Sequence, residues 1–126
     1  MKKKQISYGP IKLPGYRQYR ERIIEDPSDI LYCLANRHEV TIYYRNGKKF
    51  TYKVCLGYLE QRLDPCRFCR IHNEEIINLS CVKEWHRERS IIVVNLPEDE
   101  IAFVAKRKKH EFLVSYRYFL TQVAHF

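Results

Sequence analysis

Two constellations in the sequence hold side chains able to do chemistry. In the first, Cys66-Arg67-Phe68-Cys69 followed by His72 spells C-x-x-C-x-x-H, with Cys81 as a conceivable fourth zinc ligand. A structural zinc site holds its paired thiolates on a tight turn, whereas residues 68–71 alternate as a strand does and throw Cys66, Cys69 and His72 apart. The spacing therefore yields no metal assignment, and the cysteines read as packing residues. The second constellation is three polar loops, each leaving a strand, that carry His38, Asn73 and Arg117, with Lys and Arg at 37, 48, 49, 70 and 106–109. Arg can donate two hydrogen bonds to guanine O6 and N7, and Asn can pair bidentately with adenine N6 and N7. Taken singly, each of the three is a polar loop residue facing water; together they suit the reading of nucleic acid.

Catalytic chemistry finds little support. No glycine-rich oxyanion turn or strand-to-helix nucleophile elbow accompanies any of the five cysteines. Phosphate-cradling glycine loops are absent, there being four glycines in the chain. Asp64, Glu60, Glu74 and Glu75 form no recognisable acid and base pair. The reading is a protein that is not an enzyme, with no cofactor and no small-molecule substrate.

The elements that must position these loops are mostly short strands. Residues 68–79, FCRIHNEEIINL, place two strand-forming runs around a polar centre at Asn73, Glu74 and Glu75, with Phe68, Arg70 and His72 on one side and Cys69 and Ile71 on the other. Residues 30–34 (ILYCL) and 40–44 (VTIYY) predict buried strands around a polar loop at 35–39. Asn46-Gly47 predicts a type I′ hairpin turn into a returning strand at 50–54. Leu56, Leu59 and Leu63 predict a short amphipathic helix ended by Asp64-Pro65. Further on, 82–89 reads as a strand with a hydrophilic turn, and 91–94 and 101–105 as strands. Residues 106–110 form a basic tip, either a phosphate-binding edge or a solvated hairpin end, before a last strand at 112–114. Residues 118–126 are a terminal helical turn. At the start, Pro10 and Pro14 frame an edge strand behind a frayed tail, residues 17–22 are a helical turn or a loop, and Asp26-Pro27-Ser28-Asp29 is a turn.

This is an all-β, β-dominated chain with one or two short helices, organised as an N-terminal tail and edge strand over 1–22 and one domain over 23–126. At 126 residues it can hold a core without metal or disulfide staples. A net charge of +8 gives it a field that attracts polyanions, although a basic soluble protein of other function has the same balance. Five cysteines, an odd number, fit a reducing cytoplasm, and no run approaches the length of a membrane helix.

The order of the motifs adds a resemblance. ILYCLANRHEVTIYYRNGKKF, then CLGYLEQRL, then FCRIHNEEIINLSCVKEW, then FLVSYRYF resembles the LytTR-type DNA-binding domain of bacterial transcription regulators from residue 23 to about 122. The most specific part is the central block, which in that family runs F-x-R-I-H-x-S-x-x-V-N, with P-V-S-R-x-Y as the final motif. The resemblance implies three small antiparallel sheets with short helices, and DNA read by loops set in successive major grooves without a recognition helix. It places base contacts on His38, Asn73 and Arg117, and backbone contacts or loop support on Arg37, Lys48, Lys49, Arg70, Ser115 and Tyr116. The partner implied is double-stranded DNA, with a homodimer on repeated half-sites as a further possibility.

Three departures stand out. Glu74 replaces a small hydroxyl residue, and a carboxylate beside phosphate is repulsive unless it accepts from cytosine N4. Residues 97–110 exceed the family's usual short hairpin, implying an added strand or a partner surface. Most members carry a receiver domain ahead of this one, whereas about 25 residues precede it here, so a stand-alone regulator is expected. The alternative is a protein-interaction module that kept the fold and lost DNA recognition.

Overall fold

The computed structural model describes residues 8–15, 20–94 and 100–123. The expectations for residues 1–5, 17–19 and 124–126, and for all but the last residue of a turn expected at 96–100, lie outside them. Among the described residues the strands form three antiparallel sheets. β1 (Ile11–Leu13) pairs with β2 (Arg22–Ile24) as a two-stranded ribbon. β3 (Ile30–Asn36), β4 (Glu39–Tyr44), β5 (Lys49–Tyr52), β6 (Phe68–His72) and β7 (Glu75–Asn78) form a five-stranded sheet in the order β5-β4-β3-β7-β6. β8 (Val82–His86), β9 (Ile91–Val94) and β10 (Glu100–Phe103) form a three-stranded sheet with β9 in the middle. Helix α1 (Leu56–Glu60) follows β5, and α2 (Lys109–Val123) closes the described chain.

The five-stranded sheet has a core on each face. Ile30, Cys33, Val40, Ile42, Phe68 and Ile76 look toward Ile11, Leu13 and Ile24 of the ribbon and Leu56 and Leu59 of α1. Leu31, Tyr32, Cys69, Ile71 and Ile77 look the other way, toward Ile92, Ala102 and Phe112. This two-sided burial explains why β3 and β7 read as continuous apolar runs rather than alternating ones, since neither face meets water. The predicted alternation in β6 holds, with Phe68 in one core and Cys69 and Ile71 in the other. Tyr58 ties α1 to the ribbon by donating its hydroxyl to the Lys12 carbonyl at 2.6 Å. Asn78, buried at the end of β7, donates to the Ile30 carbonyl at 2.8 Å and accepts from the Ser80 amide at 3.0 Å, so its place in the central block is structural.

Several local expectations are corrected. Residues 112–114 are not a strand but lie in α2, because Phe112, Tyr116 and Phe119 recur at helical spacing and pack against the second core. The helix therefore starts well before residue 118, and Ser115, Tyr116 and Arg117 sit on it rather than on a loop. The β4–β5 turn is not type I′, since Gly47 has a positive φ of 84° and Asn46 does not. Gly47 donates to the Tyr44 carbonyl at 3.0 Å and the Lys48 amide bonds the Asn46 side chain at 2.9 Å, making a type I turn with glycine in the left-handed position that follows it. Cys33, Cys69 and Cys81 are buried, but Cys55 and Cys66 are exposed and do not pack.

Candidate nucleic-acid interface

Antiparallel pairing sets two hairpin turns at one end of the five-stranded sheet. β3 and β4 are joined by Arg37 and His38, flanked by the pair Asn36 and Glu39. β6 and β7 are joined by Asn73 and Glu74, flanked by the pair His72 and Glu75. Because β3 pairs with β7 through Leu34 and Glu75, both turns emerge from the same edge, and the Ala35 amide donates to the Glu74 carbonyl at 2.7 Å. His38 lies three residues beyond Ala35, which is about 10 Å of extended chain.

At the first turn Arg37 has a φ of 57°, the left-handed region that side chains other than glycine enter at a cost of about 1–2 kcal/mol. Arg37 and His38 are exposed, and Lys53, which the sequence reading missed, lines the same depression. The sequence carried a signal for it, since the antiparallel return of β5 brings the residue after Tyr52 back beside Val40. Glycine at position 37 relieves the backbone, with its larger unfolded-state entropy offsetting part of the gain. Arg37→Gly is therefore expected to leave the melting temperature equal or slightly raised while it weakens DNA binding. Thermal melts and a binding titration on the same preparation check the pair of outcomes.

At the second turn Arg70 and His72 of β6 hold the backbone. The Arg70 guanidinium donates to the Asn73 carbonyl at 2.7 Å and lies 3.6 Å from the Glu60 carboxylate on α1. His72 Nδ1 accepts from the Glu74 amide at 3.1 Å, which leaves the ring proton on Nε2, 3.4 Å from the Glu75 carboxylate. Burial holds the His72 pKa below its ordinary value, with the Glu74 carboxylate pulling the other way. With its folded pKa lowered, His72 contributes stability that is fully present above its unfolded value near 6.5 and is lost as pH falls from there through the lower folded value. Protonation also removes the acceptor that Nδ1 offers to Glu74. Acidification from pH 7.5 to 5.5 is thus expected to loosen the Asn73 turn, seen as faster amide exchange at Glu74, and His72→Asn should flatten that dependence.

The third element at this edge is the exit of β10. The Ala105 amide donates to the Ile71 carbonyl at 2.8 Å, which lays residues 104–107 beside β6. Arg107 then donates through Nη2 to Asn73 Oδ1. Glu60, Arg70, Asn73, Arg107, Lys108 and Glu111 line one shallow polar depression. The basic tip is thus not a hairpin end but the first turn leading into α2. Lys106, Arg107, Lys108 and Lys109 crowd the positive end of a helix, where anionic side chains are normally favoured. Only the 3.1 Å Lys108–Glu111 pair offsets this charge among the described ion pairs there. Such a local conflict concentrates positive charge where a phosphate would complement it.

Residues 20–115 match the family model of the LytTr DNA-binding domain. The chain belongs to the LytTR family. A comparison with curated proteins found no match. Among solved structures the fold is similar to the LytTr DNA-binding domain of a Bacillus cereus protein described as a methyl-accepting/DNA response regulator. That likeness has a TM-score of 0.66 and 18% identity, over 85% of this chain and 95% of the other. DNA binding and transcription regulation come with LytTR membership, and the family is one of DNA-binding domains rather than of enzymes. No helix among the described residues is long and apolar enough to cross a membrane.

Of the residues expected in the LytTR site, His38 and Asn73 stand on turns at the shared edge, with Arg37 and Arg70 beside them. Arg117 does not join them. It lies inside α2, its carbonyl accepting from the Thr121 hydroxyl at 2.9 Å, and falls beyond the matched residues. The cation that meets the Asn73 side chain is Arg107, while Arg70 meets its backbone carbonyl. Lys48 and Lys49 follow the β4–β5 turn at the opposite end of the sheet, where Lys49 lies 5.9 Å from the Tyr43 ring centre. Ser115 and Tyr116 are half-buried on α2, and Tyr116 stacks on Phe112 at 5.6 Å. Among the described residues no three His, Cys, Asp or Glu side chains are grouped to hold a metal ion. Cys69 is packed in the second core with its thiol pushed up to about 11 by burial.

Proposed function

We propose that this LytTR domain is a sequence-specific transcriptional regulator of the cytoplasm that reads the DNA major groove through three loop elements. His38 reads from the first turn, Asn73 from the second, and Arg107, in place of Arg117, from the exit of β10. Arg37, Lys53, Arg70 and the cations at 106, 108 and 109 serve backbone contact and loop support, since phosphate contacts fix register without reading sequence. The observation that carries this reading is the meeting of Asn73 and Arg107 side chains at the edge that also bears His38. No cofactor enters. Selection of genomic fragments at moderate salt should yield a sequence preference over random duplex. In His38→Ala or Asn73→Ala that preference should relax at one or two positions. Each lost phosphate contact should lower the slope of log affinity against log salt by about 0.9, which separates backbone from base contacts. If selected fragments bind no better than random duplex, or both variants keep full preference, the base-reading assignment is wrong.

A second reading draws on the outer face of β10, where Ile101 and Phe103 are 60% and 66% exposed on an edge strand. An apolar pair on an unpaired edge favours protein contact, including pairing of two copies on repeated half-sites. Sedimentation with and without operator duplex, repeated with Phe103→Lys, tests it: unchanged mass in every condition sinks the dimer.

A further inference from the structure

The two edges of the three-stranded sheet are finished differently. β8, at one edge, carries Lys83, Glu84 and His86, the kind of charge that keeps an edge strand from pairing with another chain. β10, at the other, presents Ile101 and Phe103 to solvent, while Ala102 between them packs into the second core. The backbone of β10 is equally one-sided. Val104 donates to the Ser90 carbonyl at 2.8 Å, so its amide points toward β9, and the Ala105 amide points the other way, to Ile71 of β6. Alternation along the strand then sends the N–H and C=O groups of Ala102 toward β9 and those of Ile101 and Phe103 outward, where no strand lies beside them among the described residues. These outward groups are symmetric about Ala102. A second β10 laid antiparallel over that point sets Ile101 opposite Phe103 of the second copy, and Phe103 opposite its Ile101, each pair exchanging N–H and C=O groups. The exposed apolar side chains then become cross-strand neighbours on one face. Alanine at the centre is small and faces inward, so the axis is free of clash. The bond from Ala105 to β6 ends the free edge, and with β8 guarded by charge the sheet has one edge to offer, which closes association at two copies.

Resting on the reading of this edge as a protein contact, we infer that β10 pairs with β10 of a second copy of this chain, antiparallel and centred on Ala102, so that the two three-stranded sheets become one. The contact is short, so pairing depends on protein concentration. Sedimentation across a concentration series measures the association, and NMR amide exchange on the same samples reads the strand pairing. Where half the copies are paired, exchange at Ile101 and Phe103 should slow by about twofold, while Ala102, whose amide already faces β9, stays unchanged. In a mixture of labelled and unlabelled protein, isotope-filtered NOEs should join Ile101 of one copy to Phe103 of the other. Ile101→Lys, a change at an exposed side chain first shown by circular dichroism to leave the fold intact, should abolish the association. Association that Phe103→Lys removes, but that leaves exchange at Ile101 and Phe103 unchanged or gives no such NOE, overturns the inference while leaving the outer face of β10 as a protein contact. Association that survives Ile101→Lys overturns it as well and moves the contact elsewhere. Protein that stays monomeric at the concentrations NMR requires removes the pairing of two copies, and the inference with it.

Discussion

Arg107→Ala is expected to weaken binding to the selected operator by about 1–3 kcal/mol, whereas Arg117→Ala should stay within about twofold of wild type. The difference follows from where the two arginines stand. Arg107 meets the Asn73 side chain at the edge that carries His38. Arg117 lies eight residues into α2 from Lys109, about 12 Å along the helix axis, and presents an exposed side chain there. A double variant, Asn73→Ala with Arg107→Ala, should cost less than the sum of the singles, because each single change already breaks the contact they share. Binding titrations at one fixed salt concentration measure all four proteins. Equal losses from Arg107→Ala and Arg117→Ala would return the third base contact to the helix.

Phe112→Ala should lower the unfolding free energy by about 3–5 kcal/mol, a large part of the 5–15 kcal/mol typical of a domain. Phe112 is the fully buried residue of α2, with Tyr116 and Phe119 packed beside it against the second core. Its ring lies 4.9 Å from Trp85 on β8 and 5.6 Å from Tyr116. Trp85 is the single tryptophan of the chain, so its emission reports directly on whether α2 is docked. Urea unfolding followed by Trp85 fluorescence gives the stability change. Tyr118→Ala on the exposed side of the same helix should change it by less than about 0.5 kcal/mol. DNA affinity should fall in Phe112→Ala more than in Tyr118→Ala, because the turn bearing Arg107 leads straight into the helix that Phe112 anchors.

The sheets were legible because β-branched and aromatic runs with polar breaks leave few alternatives, as at residues 30–44. His38 and Asn73 could be singled out for the same reason, each being a polar residue between two buried strands. Arg107 could not. Residues 112–114 have strand-like composition, and that pushed the end of the last strand eleven residues too far along the chain, from 103 to 114. The countersignal was present in the spacing of Phe112, Tyr116 and Phe119, which only a helix places on one face. Lys48 and Lys49 stand apart from His38 and Asn73 for another reason. Their charge was plain, but which end of a sheet a turn occupies depends on strand order, and β3 pairing with β7 is a long-range event that no local pattern encodes. The exposure of Ile101 and Phe103 was equally hidden, since a strand whose apolar residues face outward has the same composition as one whose apolar residues face in.

The pairing of Leu34 with Glu75 also acts as a ruler. It fixes how far the first turn projects relative to the second, and one residue of strand register spans about 3.3 Å, close to the roughly 3.4 Å rise of one base pair. A slip of one residue would change the reach by about one base step, but it would also send the β3 side chains of each core into the other, where the packing partners do not match. On the reading proposed above, the distance between the bases addressed by His38 and Asn73 would thereby be locked to the hydrophobic interior. Operators with one base pair inserted between those positions should bind as poorly as those with the wrong base, and retuning that spacing requires a longer turn rather than a shifted strand.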